Sequence, residues 1–293
     1  MVTLCPERRA PGPPRSPGRH DSRPLWWREV GLIAFGYVLY TFTRNAAPPH
    51  VVAAHHHATA IMAVERWLHL DVELTLNGLL SGHHWLSTMA SYYYATLHFV
   101  VTLSVLVWVY RRHPAAYRQA RTILIGTTLV ALFVFWVYPL APPRLSGFGF
   151  MDTIGTVRLW GGATWNSPGI ASVSNEYAAM PSLHVAWAVW SAGVVQRSCG
   201  HRRSWHGLIC RLVPVYPVVT LAVVLATANH FVLDAVGAVA VLFVVTLAQS
   251  LSLRPEIQLR VRAAQVVLRN RGPVERPRVR AGSATRRVGP DSG

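Results

Sequence analysis

His230 and Asp234 lie four residues apart in NHFVLD, residues 229–234. On a helix this spacing puts both side chains on one face, one turn apart. The carboxylate can accept from one imidazole nitrogen and fix the tautomer, leaving the other nitrogen free to attack as a nucleophile. Taken alone, the spacing fits a His–Asp pair joining two helices equally well. A second group lies in MPSLH, residues 180–184. Pro181 suits a first helical turn, whose free N–H groups attract anions; Ser182 adds a hydroxyl and His184 follows about one turn inward. Arg144 stands in APPRL, residues 141–145. Arg, Ser and helix N–H groups suit a phosphate, and two imidazoles suit attack and protonation of a leaving group.

The elements that position these groups follow from hydropathy. Of 293 residues 52% are apolar and 14% charged, and the formal net charge is +16. Soluble domains carry about 25% charged residues. All 28 basic residues are Arg, and there are three Cys. This composition excludes a disordered chain and a disulfide scaffold. The charge alone suits a nucleic-acid binder, but it falls in short blocks between apolar runs, the pattern of a polytopic membrane protein with no nucleic-acid partner. Spans are expected at 30–43, 85–110, 122–143, 177–196, 212–233 and 235–253, each near the ~20 residues that cross a bilayer, the first needing Trp26 and Trp27 at the interface. The expected fold is all-α, a six-transmembrane-helix bundle with an amphipathic helix on the outer surface. With both termini cytoplasmic, segments 1–29, 111–121, 197–211 and 254–293 hold 24 of the 28 Arg, as the positive-inside rule requires. His184, His230 and Arg144 then share one depth at the outer side.

Three regions follow: a disordered basic tail at 1–25, a membrane domain at 26–253 with its motifs in 141–240, and a basic tail at 254–293. The outer helix is expected around AVERWLHLDVELTLNGLL, residues 63–80, seated on the membrane through Ala63, Trp67, Leu68, Leu70, Leu74 and Leu76. Glu65, Asp71 and Glu73 read as its solvated face, and His50 and His55–His57 as solvated loop residues. Tyr94 and His98 either line a substrate cleft or belong to an interfacial aromatic belt. Cys5, Cys199 and Cys210 fall on the inner side, where thiols stay reduced.

Read together, APPRL, MPSLH and NHFVLD resemble the three signature motifs of the type 2 phosphatidic acid phosphatase superfamily, K-x6-R-P, P-S-G-H and S-R-x5-H-x3-D. P-S-L-H is similar to the branch of inositol phosphorylceramide synthase. The resemblance covers residues 60–250. It implies a metal-independent, cofactor-free lipid phosphatase or phosphotransferase acting on a lipid-linked phosphate among membrane lipids. By resemblance His230 takes the phosphoryl group, Asp234 orients it, His184 protonates the leaving alcohol, and Arg144 and Ser182 hold phosphate oxygens. Two family cations are absent: Val137 stands at the Lys position, and Val223-Val224 at the Ser-Arg. Arg158 is expected to compensate, or the substrate is a less charged diester, as for an inositolphosphotransferase-like transferase. A transporter or a silent scaffold are the alternatives. The expected location is the plasma membrane, with the site on its outer face.

Overall fold

The structure, a computed structural model, describes residues 24–46, 51–156, 158–159, 163–164, 177–198 and 210–270. The chain divides into two compact units, 1–247 and 248–293. The tails 1–23 and 271–293 and residue His50 lie outside the described residues.

The first unit is built of helices. They are α1 (Trp26–Ala46), α2 (Val51–Trp67), α3 (Glu73–Ser81), α4 (His84–Tyr92), α5 (His98–Arg112), α6 (Pro114–Val137), the short α7 (Thr153–Thr156), α8 (Leu183–Ser198), α9 (Val215–Ala226) and α10 (Val232–Asn270). Two-residue strands β1 (Arg158–Leu159) and β2 (Ala163–Thr164) pair antiparallel. The second unit contributes residues 248–270 of α10 to the described structure.

Among the described residues three helical stretches are long and apolar enough to cross a membrane: His84–Arg112, Pro114–Val137 and Val232–Leu253. The chain is an α-helical membrane protein. Two of the expected spans are shorter as helices. α8 starts at Leu183 rather than 177, and α9 ends at Ala226 rather than 233. The residues removed from both helices form a strap, 177–182, in which Ala179, Pro181 and Ser182 are buried, and a turn, 227–231, that is buried throughout.

α8 packs against α5, α6 and α9. Trp190 on α8 donates from its indole to the Ala120 carbonyl on α6 at 3.0 Å, and Trp187 donates to Thr128 at 3.1 Å. Leu106, Val109, Tyr117, Ile123, Trp190 and Leu242 build the core between α5, α6, α8 and α10. α1 is fastened to α6 by polar groups: Glu29 accepts from the Tyr117 hydroxyl at 2.9 Å and from Arg121 at 2.5 Å.

The segment 51–81 departs from the expected outer surface helix. It is two helices, α2 and α3, joined by a turn in which His69 has φ +55°. The acidic face is not solvated. Trp67, Leu68 and Leu74 are exposed, whereas Glu65 and Glu73 are fully buried. Their carboxylates turn inward because α10 begins there with unpaired N–H groups and no water to meet them. The His55–His57 stretch is helix, not loop. His57 bonds the Pro139 carbonyl at 2.7 Å and stacks on Tyr138 with ring centroids 4.0 Å apart. Cys210 is disulfide-bonded rather than a free thiol; Cys5 and Cys199 lie outside the described residues.

Candidate active site

Backbone hydrogen bonds draw the three motifs together. After α6 the chain runs extended, and Leu140 pairs in parallel with Ala178, its N–H donating to the Tyr177 carbonyl at 2.8 Å. The first motif thereby lies beside the approach to the second. Arg144 donates its backbone N–H to the Ala228 carbonyl at 2.9 Å, joining the first motif to the third. Ser182 donates its N–H to the Asp234 carbonyl at 3.1 Å, joining the second to the third. Ala228 adopts φ +53° in the turn between α9 and α10, a conformation disfavoured for a residue with a Cβ. That bend brings the turn 227–231 back against Arg144.

His230 sits at the end of this turn, buried. Its Nδ1 is 2.9 Å from the Ala179 carbonyl oxygen and 3.3 Å from Oδ2 of Asp234. A carbonyl only accepts, so Nδ1 carries the proton and the lone pair of the neutral ring lies on Nε2. Nε2 has no hydrogen-bond partner. Asp234 is fully buried and also accepts the Phe231 N–H at 2.9 Å. The expected His–Asp pairing is present, and the closer partner, the Ala179 carbonyl on the strap before α8, is one that residue spacing does not reveal.

His184 lies in the first turn of α8, with Ser182 before it as the cap. The Val185 N–H approaches the Ser182 hydroxyl at 3.5 Å and the Ala186 N–H donates to the Ser182 carbonyl at 3.0 Å. Ser182 is fully buried, and its hydroxyl faces the first turn of its own helix. The rings of His184 and His230 have centroids 5.6 Å apart, and Nε2 of His184, like that of His230, has no partner. Two imidazoles from two helix ends therefore face one small volume.

Tyr94 and His98 belong to this site rather than to an outer belt. Between α4 and α5 the helix widens into a π-turn, Tyr93–Leu97. Such turns are frequent at functional sites because the extra residue redirects side chains. Tyr94 stacks on His184 with centroids 4.2 Å apart, and His98 approaches its ring at 4.1 Å. Tyr93 is bonded to Thr220 on α9 at 2.7 Å, which anchors the turn.

The Arg144 side chain is buried and donates from Nε to Oδ1 of Asn229, next to His230, at 3.0 Å. Asn229 in turn donates to the Thr227 carbonyl and hydroxyl. Nη1 of Arg144 meets Asp152 at 3.3 Å. Asn77 on α3 ties the neighbouring loop down, exchanging two bonds with the backbone of Met151 and donating to the Ala226 carbonyl at 2.9 Å. Asp152 and Asn77 carry no motif signal, and Asn229, although it opens NHFVLD, fills an unspecified position of the family pattern; only their hydrogen bonds mark them. The Arg158 backbone pairs with Thr164, and its side chain lies outside the described residues. Where the family motif has Arg, Val224 is 1% exposed and packs with Val185, Ala186 and Ala235. No group of three or more His, Cys, Asp and Glu is placed to hold a metal ion among the described residues.

Two imidazoles with unpartnered Nε2 atoms, one of them held at Nδ1 by Ala179 and Asp234, with Arg144 bonded to the neighbouring Asn229, form a constellation fit for phosphoryl transfer. No curated protein and no solved structure matches the chain. A family model described as PAP2 superfamily matches residues 59–248, which contain all three motifs, so the chain belongs to the PAP2 superfamily of membrane phosphatases and phosphotransferases.

Proposed function

We propose that this protein is a six-span, metal-independent lipid phosphatase or phosphotransferase that acts at the outer membrane face through a phosphohistidine. One observation carries the reading: the Nε2 atoms of His230 and His184 are both unpartnered, with their rings 5.6 Å apart. Nε2 of His230 attacks phosphorus as the bond to the leaving alcohol breaks, and His184 gives that oxygen a proton. His184 then takes a proton from water or an acceptor alcohol, whose oxygen displaces the phosphoryl group from His230. Asp234 and the Ala179 carbonyl hold Nδ1–H throughout, and the carboxylate offsets the positive charge of the imidazolium. Arg144, Ser182 and the first turn of α8 receive the phosphate oxygens, with Arg158 as a further cation.

The substrate is a lipid-linked phosphate of low charge, a diester headgroup of the kind an inositolphosphotransferase-like enzyme transfers. Buried Val224, in place of a family cation, supports this choice, since a dianionic monoester needs more neutralisation than Arg144 supplies beside Asp152. The test is a panel of lipid phosphomonoesters and phosphodiesters with purified protein, following free phosphate and phosphorylated acceptor together. Acid-labile phosphate on wild-type protein, absent in His230→Ala, is expected with diesters. Turnover that survives His230→Ala, or that is lost to a chelator and restored by a divalent metal, overturns the mechanism. Activity confined to monoesters overturns the substrate class.

A further inference from the structure

Three consecutive backbone N–H groups open α10, and each is taken by a different carboxyl group. Phe231 donates to Asp234 at 2.9 Å, Val232 to Glu73 at 2.7 Å and Leu233 to Glu65 at 2.7 Å. Asp234 is local to the turn. Glu65 lies in the last turn of α2 and Glu73 begins α3, well over a hundred residues earlier in the chain. All three carboxyl groups are fully buried. None of the bonded partners of Glu65 or Glu73 among the described residues is a cation. Arg66, the nearest basic residue in sequence, lies over the ring of Phe148 instead, and Asp71 in the intervening turn is exposed. Adjacent buried carboxyls without a counter-charge cannot both ionise, because each charge raises the energy of the other.

The position of this clamp matters for chemistry. An open helix N-terminus here would itself be an anion site, competing with Arg144 and α8 for the phosphate. Filled by carboxyl groups, it is closed to phosphate. It also fixes the turn from which His230 meets the Ala179 carbonyl.

Resting on the phosphoryl-transfer reading above, we propose that Glu65 and Glu73 are positioning residues which, as one carboxylic acid and one carboxylate, clamp the first turn of α10. Through it they hold the His230 nucleophile against Ala179 and His184. Burial, with the charges of Glu73 and Asp234, pushes Glu65 up to about 9, and the proton of the pair is assigned to Glu65; Oε2 of Glu65 and of Glu73 has no hydrogen-bond partner among the described residues. The other titratable or charged groups at this end of α10 are His230 beside Asp234, Tyr138 within reach of Asp234, His184 and His98 on the far side of His230, and Arg144 through Asn229.

The assignment separates shape from charge. Glu65→Gln replaces a neutral group by a neutral group of the same shape. Glu73→Gln removes a negative charge near His230, and Glu65→Ala removes the acceptor of Leu233. Purified full-length variants are compared in phosphohistidine formation across pH, in the infrared band of a protonated carboxyl, and in ¹⁵N-histidine NMR. Glu65→Gln is expected to form phosphohistidine within about threefold of wild type and to lose the carboxyl band. Glu73→Gln is expected to move the acid limb to lower pH by about half a unit or more, since the imidazolium loses a stabilising anion. Glu65→Ala is expected to slow the step at least about tenfold, and the conservative Gln variant restores what Ala removes. A purely structural role leaves the acid limb of Glu73→Gln unmoved, and that result overturns the proposal. So does a wild-type protein with no carboxyl band, or Glu65→Gln as damaged as Glu65→Ala. If wild-type protein forms no phosphohistidine, the reaction is wrong; the carboxyl band and the His230 ring signals, perturbed in Glu65→Ala but not in Glu65→Gln, then still decide the clamp.

Discussion

At the scale of single residues, the tautomer of His230 is held twice, by the Ala179 carbonyl at 2.9 Å and by Asp234 at 3.3 Å. Where a carboxylate alone sets the tautomer, its conversion to the amide lowers turnover by about 10⁴-fold. Here Ala179 survives Asp234→Asn, so what is lost is mainly the charge opposite the imidazolium. Turnover of Asp234→Asn is expected to fall by about 10²-fold, with the phosphohistidine still detectable in a short incubation. A loss as large as that of His230→Ala would show that Ala179 does not hold the ring. His184 depends on aromatic neighbours, Tyr94 at 4.2 Å and His98 at 4.1 Å. Removing either frees the ring that, in the proposed mechanism, delivers a proton to the leaving oxygen. His98→Ala is expected to slow cleavage about tenfold for a poor leaving alcohol and hardly at all for a good one, because only the former needs the proton. Rates for a series of leaving groups measure this directly; equal losses across the series would place His98 outside proton delivery.

At the scale of elements, the ends of helices matter more than their lengths. α8 and α9 are both shorter than their apolar runs because the strap 177–182 and the turn 227–231 make contacts that a helix cannot. The pair α2 and α3 serves α10 by supplying acceptors for its first N–H groups. That service has a signature in stability. Glu65 is raised from its ordinary 4.5 to about 9, and burial raises Glu73 in the same direction. Between these values the folded chain binds more protons than the unfolded chain, so stability falls as pH rises through this window. Thermal melting in detergent is expected to decline from about pH 5 to pH 9, and Glu65→Gln, which cannot ionise, should flatten part of that slope. At the other end of the bundle, Glu29 is buried between Tyr117 and Arg121. Removing one member of a buried pair strands the other charge, and Glu29→Ala is expected to destabilise by about 3 kcal/mol. The measured quantity is the shift of the unfolding midpoint, with activity per folded molecule unchanged because the site lies elsewhere.

At the scale of the whole molecule, the site is made where segments from four parts of the chain meet: the strap after α6, the start of α8, the turn before α10 and the π-turn between α4 and α5. If that meeting point faces outward, protein reconstituted with its basic segments inside should transfer phosphate only from lipid in the outer leaflet. Vesicles with substrate confined to one leaflet test this, and equal turnover from the inner leaflet would overturn the orientation. The sequence by itself determined the helical membrane class, the three motifs, the superfamily and the His230–Asp234 pairing. Each of these is local: a run of apolar residues or an i, i+4 spacing contains its own geometry. Tertiary structure alone decided that Ala179 holds His230, that Tyr94 and His98 enclose His184, and that Glu65 and Glu73 are inside while Trp67 and Leu74 are outside. The physical reason lies in the solvent. In water an apolar face marks the core, but in lipid the outward face is as apolar as the inward one, and hydropathy no longer says which side is buried. Only the unpaired N–H groups at the start of α10 break that symmetry, and the residues that answer them come from elsewhere in the chain.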